Sequence, residues 1–111
     1  MASKNLVVNN KTFDISYEIV NPSCTKDVIF LHGWGSNKDI MKNIFSPYLK
    51  NFRHIYIDLP GFGKSKNDYE LTTYDYVKVV DDFLKLQEIL SYEILMVGKL
   101  LLKKKKKILY F

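Results

Sequence analysis

Residues Asp27 to Ser36 read D-V-I-F-L-H-G-W-G-S, and the reading of this stretch decides the fold. Four apolar residues, Val28 to Leu31, run straight into His32 and Gly33, with a second glycine at Gly35. A short apolar run of β-branched and aromatic residues closed by glycines predicts a strand buried on both faces. Such strands belong to parallel sheets covered by helices, where ligands gather at the carboxyl ends of the strands. His32 to Gly35 occupy that end.

Working toward the N-terminus, Leu6–Asn9 and Thr12–Ile19 are two strand candidates around Asn9-Asn10-Lys11, a tight-turn sequence. Phe13, Ile15, Tyr17 and Ile19 alternate with polar residues, the period-two pattern of a half-exposed antiparallel strand. Toward the C-terminus, Ser36 followed by Asp39 has the spacing of a helix-capping box. Ile40, Ile44, Phe45, Tyr48 and Leu49 then fall at helical intervals, on a helix that Pro47 must end or kink. Ile55-Tyr56-Ile57 is a second buried strand, closed by D-L-P-G-F-G, and His54 just before it reads as an exposed edge residue. Thr72 and Asp75 form another capping box, opening a helix with Tyr76, Val77, Val80, Phe83, Leu84 and Leu90 inside. Glu93–Gly98, E-I-L-M-V-G, repeats the pattern of an apolar run ended by glycine. The expected fold class is α/β: a β-hairpin followed by βαβαβ, mostly parallel, over residues 1–98.

Residues 99–111, K-L-L-L-K-K-K-K-K-I-L-Y-F, read as a separate lysine-rich tail. The tail explains the charge. The net +5 of the 111 residues resides there, because residues 1–98 carry 11 basic and 12 acidic groups. A nucleic-acid footprint would spread over a face or groove, so nucleic acid is not an expected partner. One cysteine excludes an internal disulfide framework. There is neither a signal-like N-terminus nor an apolar run near the roughly 20 residues of a membrane span, so a cytoplasmic location is expected.

Gly61-Phe62-Gly63-Lys64-Ser65 invites a phosphate-loop reading through its G-K-S ending. That loop needs a glycine where Asp58 stands, and a carboxylate there repels phosphate. The dinucleotide fingerprint fails at Lys66. Alone, Pro60, Gly61 and Gly63 read as a tight turn leaving a strand.

Taken together, F-L-H-G-W-G-S after one buried strand and Y-I-D-L-P-G-F-G-K-S after the next resemble the α/β-hydrolase fold family over residues 4–98. The resemblance implies that the loop His32, Gly33, Trp34, Gly35 forms half of an oxyanion hole, with the backbone N–H of Trp34 facing the developing charge. Glycines there let the main chain approach a substrate. His32 is then a hydrogen-bonding residue of the loop and not the base. Asp58, with Pro60, Gly61, Gly63 and Ser65, is then a structural loop and not the triad acid. The family substrate is a small carbonyl compound; no cofactor or metal is implied.

The family's nucleophile sits in a G-x-S-x-G elbow after the fifth strand. Gly98 matches its first glycine, but Leu100 stands at the serine position and Leu102 at the second glycine. No Ser, Cys or Asp follows Gly98. The sequence thus predicts a hydrolase-like chain, truncated or frameshifted, that is inactive alone. Its strand Ile94–Val97 would be left as an apolar sheet edge open to self-association. The alternative is a non-catalytic interaction protein whose tail meets an anionic partner or, less favoured, a membrane surface.

Overall fold

A computed structural model describes residues 2–33, 36–67, 69–87, 92–96 and 108–110. The chain begins with β1 (Ala2–Val8) and β2 (Lys11–Val20), joined by Asn9 and Asn10. Both asparagines have positive φ, 51° and 64°. That is the signature of a two-residue hairpin turn whose twist matches the strands it joins. Both strands are longer than the apolar pattern alone suggests, because the ladder runs on to the pairing of Ala2 with Tyr17.

Then follow β3 (Lys26–Leu31), α1 (Lys38–Phe45), β4 (Phe52–Ile57), α2 (Thr73–Leu86), β5 (Tyr92–Met96) and β6 (Ile108–Tyr110). They form a mixed six-stranded sheet in the order β1-β2-β4-β3-β5-β6. β3 lies in parallel between β4 and β5, and β2 runs antiparallel to β4. The expected hairpin and βαβαβ arrangement is present, with β3 at its centre.

Successive residues of β3 face opposite sides of the sheet, and both sides are apolar. Ile29 and Leu31 join Ile55, Ile57, Phe13, Ile15 and the inner face of α2 in the larger core. Val28 and Phe30 join Tyr56, Met41 and Phe45 beneath α1. A strand buried on both faces needs apolar residues at every position, which is why this stretch is legible as a centre.

Several expectations need correction. α1 is capped by Asn37, whose side chain accepts the Ile40 N–H at 3.0 Å. Ser36 instead donates its N–H to the Gly33 carbonyl in the preceding turn. The inward face of α1 is accordingly Lys38, Met41 and Phe45, while Ile40 and Ile44 are each 46% exposed. Phe45 packs on Phe30, ring centres 5.4 Å apart, and this contact sets the helix rotation. The helix stops before Pro47, as expected. His54 is fully buried and not an edge residue, since its strand is internal to the sheet.

β5 is not the sheet edge: Ile108–Tyr110 pairs in parallel along Ile94–Met96. There a short β-prone apolar run pairs with backbone groups of β5 that an open edge would leave exposed. The capping box of α2 is as expected, Thr72 and Asp75 each accepting the other's backbone N–H. Tyr76, Val79, Val80, Phe83 and Leu84 face the core, and Leu90 lies outside the described residues.

Candidate active site

The parallel arrangement brings two loops together at the carboxyl ends of β3 and β4. His32 and Gly33 continue β3; Asp58 to Ser65 continue β4. His32 is buried. Its Nδ1 lies 2.8 Å from the Gly33 carbonyl, which can only accept, so Nδ1 carries the proton. Its Nε2 accepts the Leu59 N–H at 3.0 Å. Both ring nitrogens are therefore engaged by main chain, and the imidazole is neutral. Burial pushes its pKa below the ordinary value, outweighing the Gly33 hydrogen bond and the charge of Asp58, which act the other way. An imidazole so held has no lone pair left to take a proton from a nucleophile.

Asp58 is fully buried. Its Oδ1 accepts the Lys38 N–H at 2.7 Å, and its Oδ2 accepts the Lys64 N–H at 3.0 Å. Gly63, at φ +54°, passes so close that a Cβ would collide with the carboxylate. The loop can close around Asp58 only with glycine there. Gly61 also has positive φ, +87°, but a Cβ there would meet only Asn67 at ordinary van der Waals distance, 3.6 Å.

Ser65 and Pro60 attach this loop to its surroundings. The Ser65 hydroxyl accepts the Ser16 N–H at 2.8 Å, and Ser16 returns its carbonyl to the Asp58 N–H at 2.9 Å. These bonds satisfy β2 where the ladder with β4 ends. The Pro60 carbonyl accepts the Tyr76 hydroxyl of α2 at 3.1 Å. Thus His32, Gly33, Asp58, Pro60, Gly61, Gly63 and Ser65 form one assembly. Trp34, Gly35, Gly98 and Leu100 lie outside the described residues.

Sequence reading missed Lys38. Its side chain is 1% exposed, with Nζ 3.1 Å from Asp58 Oδ2 and 3.6 Å from Asp39 Oδ1, close enough for ion pairing but without a hydrogen bond of good geometry. A lysine in a first helical turn ordinarily reads as solvated, so no pattern marks it. A second missed network lies nearby: His54 donates from Nε2 to the Leu49 carbonyl at 2.8 Å and accepts the Tyr56 hydroxyl at Nδ1, 2.7 Å away. Burial, then the charge of Glu18, raises the Tyr56 pKa, so the phenol remains a donor. Leu49 is held at φ +52°. At the other end of the parallel pair, Arg53 grips Asp27 with two bonds of 2.6 and 3.0 Å. Among the described residues no group of three His, Cys, Asp or Glu side chains could hold a metal ion. No helix among them is long and apolar enough to cross a membrane.

Residues 27–98 match the family model of the α/β hydrolase fold. The chain is 40% identical over 43 residues to a pimeloyl-[acyl-carrier protein] methyl ester esterase of Edwardsiella ictaluri, covering 39% of this chain and 17% of that protein. It is 33% identical over 54 residues to the enzyme of that name from Pectobacterium carotovorum, covering 49% and 21%. Among solved structures, a thermophilic esterase from Thermogutta terrifontis superposes with a TM-score of 0.76 at 16% identity, over 88% of this chain and 37% of that one. A putative ancestral haloalkane dehalogenase does so with a TM-score of 0.71 at 27% identity, over 84% and 32%. The chain thus spans about a fifth of these curated relatives and about a third of these solved structures. With a mostly parallel sheet centred on β3, the His-Gly loop at its end and a family match over residues 27–98, the chain belongs to the α/β-hydrolase fold family.

Proposed function

We propose that this chain carries the oxyanion side of a serine-hydrolase site and, by itself, performs no hydrolysis. The observation that carries this reading is the pairing of the two loops: the His-Gly loop after β3 is bonded to the Asp58 loop after β4 through His32 and Leu59. In the intact site, main-chain N–H groups of the first loop, with Trp34 the leading candidate, would stabilise a tetrahedral oxyanion. An elbow serine would attack the carbonyl, and a His–Asp pair would move the proton. Similarity to methyl ester esterases favours a carboxylic ester as the substrate class.

Here Leu100 occupies the elbow position, and a leucine offers no nucleophile. Loss of the family pattern within one residue of Gly98, beside five consecutive lysines, supports a shift of reading frame in an adenine-rich tract. Two experiments test the reading. The 111-residue chain is expected to resist labelling by a fluorophosphonate probe and to leave carboxylic methyl esters intact; stoichiometric labelling would overturn the proposal. Resequencing of the gene downstream of the Val97 codon is expected to find a frame reading S-x-G after Gly98. Finding none in any frame would exclude the frameshift.

A further inference from the structure

Among the described residues, the polar contacts that join the loop after β3 to the loop after β4 fall at the two ends of the first loop. At the front, His32 Nε2 accepts the Leu59 N–H at 3.0 Å. At the back, residue 38 meets Asp58 twice: its N–H reaches Oδ1 at 2.7 Å, and its own ammonium returns to Oδ2 at 3.1 Å. The Lys64 N–H holds the same Oδ2 from the second loop. Lys38 is the first residue of α1, where the helix dipole disfavours a cation and where a lysine can extend into water. Instead it is 1% exposed. A buried carboxylate is tolerated when it is both paired and hydrogen-bonded, and the Lys38 ammonium supplies the pairing beside the two main-chain donors. The ammonium therefore serves the two loops that Asp58 joins.

We propose that Lys38 is a positioning residue for the oxyanion loop: with Asp58 it fixes the back end of residues 33–37, while the His32–Leu59 contact fixes the front. A connection tied at one end can pivot more freely than one tied at both, and main-chain donors that stabilise an oxyanion have to be held in place. The turn between the ties, Ser36 N–H to the Gly33 carbonyl at 3.1 Å, is a built-in reporter. The functional meaning of this role rests on the oxyanion reading above.

Amide hydrogen exchange on the 111-residue chain tests it, with Lys38→Met and Lys38→Met/Asp58→Asn beside it. In the unsubstituted chain the Lys38, Leu59 and Lys64 amides are expected to exchange as slowly as those of Ile55 and Ile57. Exchange at the rate of an exposed turn would overturn the proposal. In Lys38→Met the Ser36 and Lys64 amides are expected to accelerate about tenfold or more relative to Ile55 and Ile57, because Asp58 loses its buried ion-pair partner. Equal acceleration everywhere means that the pair adds only general stability, and that result or no change overturns the role. The double variant leaves no unpaired buried charge; should the single variant not fold, its loop amides must show the same selective acceleration. None of these readouts needs a nucleophile, so their failure is separate from failure of the hydrolase reading, which probe labelling decides.

Discussion

The two faces of the central strands are built from alternate residues of the same sequence, yet they are completed differently. Among the described residues, fourteen buried beneath α2 form one continuous apolar cluster drawn from β1 to β4, α2 and Leu59. Beneath α1 the corresponding cluster has five described residues, and buried polar groups fill in around it: His54, Lys38 and Asp58. The outer side of α1 adds exposed Ile40 and Ile44 beside the Lys42–Glu18 ion pair, where α2 carries ion pairs between Lys78 and Asp82 and between Lys85 and Asp81. Apolar burial is non-directional and tolerant, whereas a buried polar network holds atoms in place at the risk of large penalties when incomplete. One face supplies most of the cohesion; the other carries the buried Lys38–Asp58 pair between the loops.

Large truncations should separate the faces most sharply. Phe83→Ala, in the thicker cluster, is expected to cost about 3–5 kcal/mol in urea unfolding, and Phe45→Ala about 2 kcal/mol. Equal losses would break the comparison. Next comes the loop itself. Gly63→Ala must push a Cβ into the Asp58 carboxylate at positive φ and should cost about 2–4 kcal/mol, while Gly61→Ala meets only the φ penalty of about 1 kcal/mol. A Gly63 variant as mild as the Gly61 variant would mean that Asp58 does not sit within the turn.

The pH response sharpens the polar side. His32 has a lowered pKa when folded, so below the ordinary value of 6.5 the unfolded chain binds the extra proton. Stability that is complete above pH 6.5 is lost as pH falls toward the folded value. Glu18 and Asp75, held low by the Lys42 contact and by the Thr72 backbone N–H, act in the same direction only below about their ordinary values of 4.5 and 3.8. Urea midpoints at pH 7.5 and 5.5 should therefore differ in the parent chain and converge in His32→Gln; an unchanged difference would remove His32 as the cause.

The smallest effect is the most pointed. Ile44→Lys should change stability by less than about 0.5 kcal/mol, because Ile44 faces water. A helix rotated to bury Ile40 and Ile44, as the bare periodicity suggests, would lose several times more.

That helix shows where legibility ends. For α2, capping box and apolar face agree as far as Leu86, because fourteen residues average out local ambiguity. With eight residues, α1 has two candidate faces; Phe30 and Tyr56 beneath it select Met41 and Phe45. The same limit explains the site. Gly33, Gly61 and Gly63 are visible as punctuation, and His32 and Asp58 through family resemblance, since their roles follow from their place beside a strand end. Lys38 and His54 carry no such mark. Each is a polar residue whose burial depends on a partner about twenty residues away or on the strand order around it.

By itself the sequence determined the buried strand at Val28–Leu31, the glycine-closed loops after two strands, the hairpin at Asn9-Asn10 and the absence of a serine at position 100. These follow from local chemistry: apolar runs, backbone freedom and the identity of a single atom group. Only the tertiary structure decided that Lys38 turns inward to Asp58, that His54 is buried, and that Ile108–Tyr110 lies beside β5. In each case the deciding energy is a charge or backbone hydrogen bond satisfied across the fold, and such a partner has no signature in neighbouring residues.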